Sequence, residues 1–460
     1  MQPKLSVAIA LAICSQGALA VGNTFFDDVG PNTLPNIPIP IGDALESTNA
    51  LVLPSADWTQ TSIANRNAQL ALGQTNSGVW DMIDSNRTGA DANRYLFMPF
   101  EPSNAGGVPN TGAGAQRYDT WTGNTLTIVD VGTDNFQRGD ASRWTPWGGW
   151  LTAEENYNPN ASVATGRLYE VTNPVDTTGP GDVNFVQRNT VLPFVSHEGL
   201  AFDSANSLYF VDELTGGSIY KYVADNPNAA NGNDFFGTGT TFAMKVGAGS
   251  NSSAAGQFTW EALDPFTTNG RIAAAAVDAT GYSRPEDLEI RESITGAEQL
   301  FFAATGTDDV WTMDLDSGEV FQFVTQSTLD IATGVAVGSV FNNPDNLAID
   351  ADGNIYIIED QGAGSADIWR VVDVDQDGVA EGVSRWAAMQ VTGAEPTGLF
   401  FSLADPNIAY VNIQHPSSGN DQLYQITATA PVPVPTAMWL FGSALAGLAT
   451  RRAREAVPAV

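Results

Sequence analysis

The 460-residue chain has a single cysteine, Cys14, and it lies in the N-terminal apolar segment. Once that segment is removed no thiol remains, which excludes disulfides, thiol catalysis and thiolate zinc sites. Histidine is almost as scarce. His197 and His415 are the only two, too few for a histidine-rich metal cage. Positive charge is short as well: 19 lysines and arginines face 52 aspartates and glutamates, a formal net charge of −33. So few cations cannot replace phosphate counterions, which argues against nucleic acid as a partner. The acidity suits either plain solubility or a cation-rich medium that screens self-repulsion. Long helical periodicity is scarce. Nucleophile elbows, phosphate-cradling glycine loops and dinucleotide fingerprints are missing from any suitable context; Gly306 and its neighbours lack the required lysine and helix.

Both ends read as targeting segments. Lys4 precedes the apolar run 5–14, and Ala18-Leu19-Ala20 offers a small-residue cleavage site, so residues 1–20 are expected to be a secretory signal. At the other end, Pro431, Pro433 and Pro435 lead into an apolar stretch, 436–450, followed by Arg451, Arg452 and Arg454. That stretch is shorter than the roughly 20 residues of a full span, and the arginines favour the cytoplasmic side. The order of proline box, apolar stretch and arginine cluster resembles the PEP-CTERM sorting tail of Gram-negative bacteria. The resemblance implies export to the periplasm, outer surface or extracellular matrix. It also implies transient membrane attachment through residues 429–460 and a sorting protease as partner. A plain C-terminal membrane anchor is the alternative.

Residues 21–428 remain as the exported body, and 43% apolar content is ample for a large core. Short apolar or alternating runs recur there, bounded by Gly, Asn, Asp and Pro, as strands and turns require. Four segments look like copies of one three-strand meander: 199–223, 300–324, 346–372 and 398–426. Repetition of such a unit indicates an all-β fold, a β-propeller of six blades with long inserted loops. A β-sandwich with insertions is the competing architecture. In a propeller, one end of every inner strand opens onto the central channel, so residues distant in sequence converge.

Acidic motifs sit where these strands start or stop. Glu154 and Glu155 follow the aromatic frame 144–152; on an extended strand they point to opposite faces. His197-Glu198-Gly199 opens a repeat, with Glu198 the better metal ligand. His197 is open to three roles: ligand, proton shuttle or packed core residue. Arg284-Pro285-Glu286-Asp287 combines a guanidinium fork with two anions, suited to phosphate or to an internal salt bridge. Asn343-Pro344-Asp345-Asn346 precedes another strand, and Glu359-Asp360 ends the next. Glu395 begins a strand, and Asn412 or His415 is placed at the rim. Asp373, Asp375 and Asp377, followed by Gly378, form the opening of an oxygen-rich calcium loop. A helix-loop-helix hand would need glutamate at Ser384, so only a loop site is expected. Carboxylates gathered without lysines need neutralising, and a bound cation is the usual means.

These motifs together resemble the PhoX-type secreted alkaline phosphatases. The residues that carry the resemblance are Thr145-Pro146-Trp147-Gly148, Trp150-Leu151-Thr152, Glu154-Glu155-Asn156, His197-Glu198-Gly199-Leu200 and Arg284-Pro285-Glu286-Asp287, followed by Asp345-Asn346-Leu347, Glu359-Asp360 and Val411-Asn412-Ile413-Gln414-His415-Pro416. The resemblance implies a propeller with calcium and iron in its channel that hydrolyses small phosphomonoesters. Carried over by motif, Glu154, Glu155, Glu198, Glu286 and Asp360 would hold metal. Arg284, with His197 beside it, would grip the phosphate, and Arg284 and Glu286 would be catalytic. The family has a cysteine iron ligand shortly before the tryptophan motif. Here that stretch is Phe136-Gln137-Arg138-Gly139-Asp140-Ala141, so Ca2+ is expected and Fe3+ would have to bind without a thiolate. Two other readings stay open: a non-catalytic, calcium-stabilised surface or matrix propeller, and another propeller hydrolase such as a lactonase.

Overall fold

The computed structural model describes residues 26, 33–35, 38–103, 111–158, 164–249, 253–264, 267–360 and 366–428. The expected signal segment and the C-terminal tail lie outside the described residues. The chain divides into two units, Met1–Ala428 and Thr429–Val460. No helix among the described residues is long and apolar enough to cross a membrane.

Six antiparallel meanders account for most of the described strands of the first unit. Blade 1 holds Asp84–Ser85, Tyr95–Phe100, Gly114–Asp119 and Asn124–Val129. Blade 2 holds Arg143–Trp144, Trp150–Ala153, Leu168–Val171 and Phe185–Gln187. Blade 3 holds Leu200–Phe202, Leu208–Val211, Thr215–Ala224 and Gly239–Val246. Blade 4 holds Pro285–Glu292, Glu298–Ala304, Asp309–Asp314 and Glu319–Val324. Blade 5 holds Pro344–Ile349, Ile355–Glu359, Asp367–Val372 and Gly382–Met389. Blade 6 holds Glu395–Phe401, Ile408–Gln414 and Gln422–Ala428, and takes Trp58–Asn65 from the start of the chain as its outer strand. That last pairing closes the ring by joining an early strand to the last described strand. A fifth strand on blade 3, Gly256–Ala262, reaches across to the outer strand of blade 4.

Side-chain alternation explains why the blades form a ring. Successive residues of a strand point to opposite faces. Leu208 and Phe210 pack toward blade 2, whereas Tyr209 and Val211 pack toward blade 4. Leu300 and Phe302 face blade 3, and Phe301 and Ala303 face blade 5. Ile355 and Ile357 face blade 4, and Tyr356 and Ile358 face blade 6. Strands sandwiched on both faces must be apolar throughout, which is why these runs read as continuous in the sequence. Further clusters join blade 6 to blade 1 through Phe400, Tyr410, Leu96 and Met98, and blade 1 to blade 2 through Phe97, Trp144 and Trp150. Every blade interface therefore has its own apolar cluster. Each fully buried Leu, Ile or Phe in them contributes about 1.5–3 kcal/mol. A two-layer sandwich would have one core between two sheets; the six interfaces make the fold a β-propeller.

The four sequence repeats fall in blades 3 to 6. In blade 4 the expected copy began one strand late. The true inner strand, Pro285–Glu292, carries too many charges to look like a core strand. Blades 1 and 2 escaped notice because their inner strands are only two residues long, Asp84–Ser85 and Arg143–Trp144.

Candidate active site

At one end of the channel an acid stands at, or two or three residues before, the start of the first strand of every blade. Asp81, Asp140, Glu198, Glu286, Asp345 and Glu395 come from blades 1 to 6 in turn, and all line one cavity of about 270 Å3. A second tier comes from the ends of the neighbouring strands: Glu101, Glu155, Glu213 and Asp360 from blades 1, 2, 3 and 5, and Gln414 with His415 from blade 6. Blade 4 supplies a cation at this mouth instead, Arg284. Inner strands start where outgoing strands stop, so the meander itself puts both tiers at the same end.

Two features bring the inner strands close enough. The first is glycine: a Cβ at Gly199 would stand 2.1 Å from the Leu288 amide nitrogen, and one at Gly398 would stand 2.8 Å from the Asp81 carbonyl oxygen. Gly398 also has φ of +59°, which glycine adopts without strain. The second is bulging. Strand register shifts between Pro285 and Leu288 and between Pro344 and Leu347, which re-aims the acids between them.

The electrostatics are severe. Burial pushes the Asp81 carboxyl up to about 7, with Glu101 adding to it. Burial and Glu213 push Glu286 up to about 8 against the pull of Arg284. Burial, then Asp360, carry Glu395 to about 10. Asp140, Glu155, Glu198 and Asp345 are held well above the usual carboxylate range, again by burial first and by neighbouring acids second. Such a group must either keep its protons or bind cations.

The donor set fits a hard cation. One oxygen each from Glu155, Glu198 and Glu213 lie within 4.8 Å of one another, and so do oxygens from Glu198, Glu286 and Asp345. Glu198 belongs to both groups. Asp140 Oδ1 and Glu286 Oε1 are buried without a hydrogen-bond partner, although Arg284 Nη2 stands 3.2 Å from the latter. The cavity lining offers carboxylates and amide oxygen, with one imidazole and no sulfur, a set that suits calcium or magnesium. The cavity lining holds no cysteine, so its described residues offer iron no thiolate.

Arg284 has φ of +52°, and its guanidinium bonds Glu213 at 2.6 Å. The internal salt bridge expected of this residue is present, and the side chain also lines the cavity. Its Nη1 has no partner among the described residues. His415 stands on the rim, half-exposed, with Nε2 3.4 Å from Glu395 Oε1.

Of the residues singled out in the sequence, Glu155, Glu198, Arg284, Glu286, Asp345, Asp360, Glu395 and His415 meet in the cavity. Glu154, His197, Glu359 and Asn412 do not. Glu154 is fully buried within blade 2, where Arg167 Nη2 and Nε bond it at 2.5 and 2.8 Å and the amides of Gln137, Gly166 and Arg167 complete its shell. His197 is fully buried beside Phe210, neither ring nitrogen has a hydrogen-bond partner, and burial pushes its pKa down to about 3. It stays neutral in the core and does not reach the cavity. Glu359 binds the Trp369 indole and the amides of Asn342 and Asp367, a structural role. Asn412 is likewise buried and donates to the Asp81 carbonyl.

The aspartate loop lies apart from the channel. Asp373 and Asp375 approach each other there, but their third companion is Glu381. Asp377 instead accepts from the Val379 amide, and Asp373 is paired with Arg291 at 2.6 Å.

Sequence reasoning missed Asp81, Glu101 and Glu213, and left Asp345 among motif residues without a role. A usable signal existed. Each inner strand is preceded or opened by one acid, so the acid just before Met82-Ile83 could have been sought once blade 1 was recognised.

A family model described as "Alkaline phosphatase PhoX" matches residues 140–417. No curated protein matches the chain. Among solved structures, a luciferin-regenerating enzyme is 11% identical, covering 76% of this chain and 92% of that chain, with a TM-score of 0.44. The RRP9 WD40 repeats are 7% identical, covering 82% and 100%, with a TM-score of 0.42. The PQQ-bound aldose sugar dehydrogenase from Streptomyces coelicolor is 12% identical, covering 82% and 99%, with a TM-score of 0.38.

Proposed function

The chain belongs to the PhoX family of alkaline phosphatases, and we propose that it hydrolyses small phosphomonoesters at the acidic mouth of its propeller with the help of bound calcium. The observation that carries this reading is the pair of carboxylate groups sharing Glu198, in a cavity with many acids and a single arginine. A phosphate dianion cannot approach such a surface unless cations first neutralise it. Glu155, Glu198, Glu213, Glu286 and Asp345 would hold those cations. Calcium bound there would neutralise phosphoryl oxygens and make a water molecule a better nucleophile.

The chain's own groups complete the site. Arg284 keeps Nη1 for a phosphoryl oxygen, while Glu213 and Glu286 fix its plane. His415, whose Nε2 stands 3.4 Å from Glu395 Oε1, would serve as proton donor to the departing alkoxide. Export is the setting we propose, as is typical of this family, with residues 1–20 as signal and 429–460 as a sorting or anchoring tail.

The test is hydrolysis of p-nitrophenyl phosphate by purified protein stripped of metal and then reloaded with calcium, alongside elemental analysis. Activity that appears only with calcium supports the proposal. Calcium uptake without turnover would favour the non-catalytic surface propeller, which the sorting-like tail also suits. No uptake and no turnover would sink both.

A further inference from the structure

The inner strand of blade 4 carries two consecutive buried acids that line different cavities. Glu286 lines the acidic mouth, whereas Asp287 lines a separate cavity of about 220 Å3 between the inner strands. The bulge between Pro285 and Leu288 is what lets neighbours in sequence do this.

Asp287 is fully buried. Its Oδ1 accepts from the Leu288 amide at 2.7 Å, inside the bulge. Its Oδ2 accepts from the Leu347 amide at 3.0 Å, in blade 5. Leu347 ends the corresponding bulge of blade 5, the one that presents Asp345. One side chain thus fastens the bulge carrying Glu286 to the bulge carrying Asp345. Those two acids, with Glu198, make up one of the two carboxylate groups at the mouth.

Blade 5 repeats the device with a neutral residue. Asn346 directly follows Asp345, as Asp287 follows Glu286, and its Oδ1 accepts from the Gly398 amide of blade 6 at 2.9 Å. The shared requirement at this position is a hydrogen-bond acceptor of the right length. That bond itself needs no charge, although the Asp287 carboxyl also interacts with Glu289 and with the Arg143 guanidinium.

Resting on the reading of the mouth as a cation site, we propose that Asp287 is a positioning residue: it sets the spacing of Glu286 and Asp345 around Glu198 and thereby the calcium affinity of that group. It touches neither cation nor substrate. Its effect passes through the amide of Leu347.

The test uses the full chain, stripped of metal and titrated with calcium by calorimetry, with p-nitrophenyl phosphate hydrolysis followed in parallel. Asp287→Leu and Asp287→Ser both remove the bridge, the second without added bulk, so that one folded variant suffices. Calcium affinity is expected to drop about 10–100-fold, the range for groups that orient metal ligands. Hydrolysis is expected to fall at limiting calcium and recover in excess calcium. Asp287→Asn keeps an acceptor for Leu347 and is expected to stay within about fivefold of the parent, the worth of one local hydrogen bond. The inference is overturned if a folded Leu or Ser variant binds calcium like the parent, or if Asn loses as much as they do. A parent protein that takes up no calcium overturns the site assignment itself, and this inference with it.

Discussion

Glu154 and Glu155 are adjacent, yet their carboxylates lead opposite lives. Glu154 turns into blade 2 and pairs with Arg167, while Glu155 turns to the channel mouth and pairs with Arg138 at 2.9 Å. Alternation along an extended chain dictates the split. Truncating Glu154 strands a nearly buried guanidinium, a loss of about 3–5 kcal/mol. Glu154→Ala should therefore melt much earlier than the parent but, where folded, bind the same amount of calcium. Glu155→Gln should show the reverse: reduced calcium and a metal-free melting temperature close to the parent's. Thermal melts with elemental analysis check both. Equal calcium loss in the two variants would mean that Glu154 belongs to the site after all.

Glu198 is common to both carboxylate groups, so Glu198→Gln should disturb calcium at both at once. Removing a metal ligand should cost at least the 10–100-fold known for groups behind the ligands. Calcium affinity and turnover should fall together. Because burial and neighbouring acids oppose a charge at this position, the metal-free variant should be no less stable than the parent. A variant that keeps full calcium affinity would remove Glu198 from the site.

Arg284 is the cavity's guanidinium, and a charged hydrogen bond is worth about 1.5–3 kcal/mol. Arg284→Ala should raise KM for phosphomonoesters by about 10–100-fold on that basis. Lysine cannot reproduce a planar fork already shared with Glu213 and Glu286, so Arg284→Lys should recover little. Steady-state kinetics at saturating calcium separates this from a metal effect. An unchanged KM would leave Arg284 a purely internal ion pair.

Stability should depend on pH in an unusual direction. Asp81, Glu286 and Glu395 keep their protons up to about 7, 8 and 10 when folded, against ordinary values of 3.8 and 4.5. Across that window the folded, metal-free protein holds more protons than the unfolded chain, so its stability falls as pH rises. His197, pushed down to about 3 by burial, works the other way, but only below its ordinary value of 6.5. Melts of metal-free protein at about pH 7 and about pH 9 isolate the acids, and the higher pH should give the lower Tm. Calcium should restore it and release protons on binding. A metal-free Tm that rises over this range would contradict the protonated cluster.

Much of this was legible in the chain. The continuous apolar runs of blades 3 to 6 fixed an all-β repeat, since only strands packed on both faces need such runs. The acids Glu198 and Asp360 stood out because each breaks an apolar pattern at a strand end, and Glu286 because it sits in a compact motif with Arg284 and Asp287. Blades 1 and 2 were hidden by inner strands too short to show alternation, and with them Asp81 and Glu101 were lost. His197 looked functional because histidine is rare here, whereas the fold simply buries it against Phe210.

The sequence by itself determined the strand-rich repeat, the acidity and the confinement of cysteine to Cys14, because composition and periodicity are local properties. Only the tertiary structure decided which carboxylates meet. Ring closure by Trp58–Asn65, the close approach at Gly199 and Gly398, and the bulges at Glu286 and Asp345 bring together residues hundreds of positions apart. The same geometry turns Glu154 away from the mouth and Glu155 into it, a choice of strand face that no local pattern specifies.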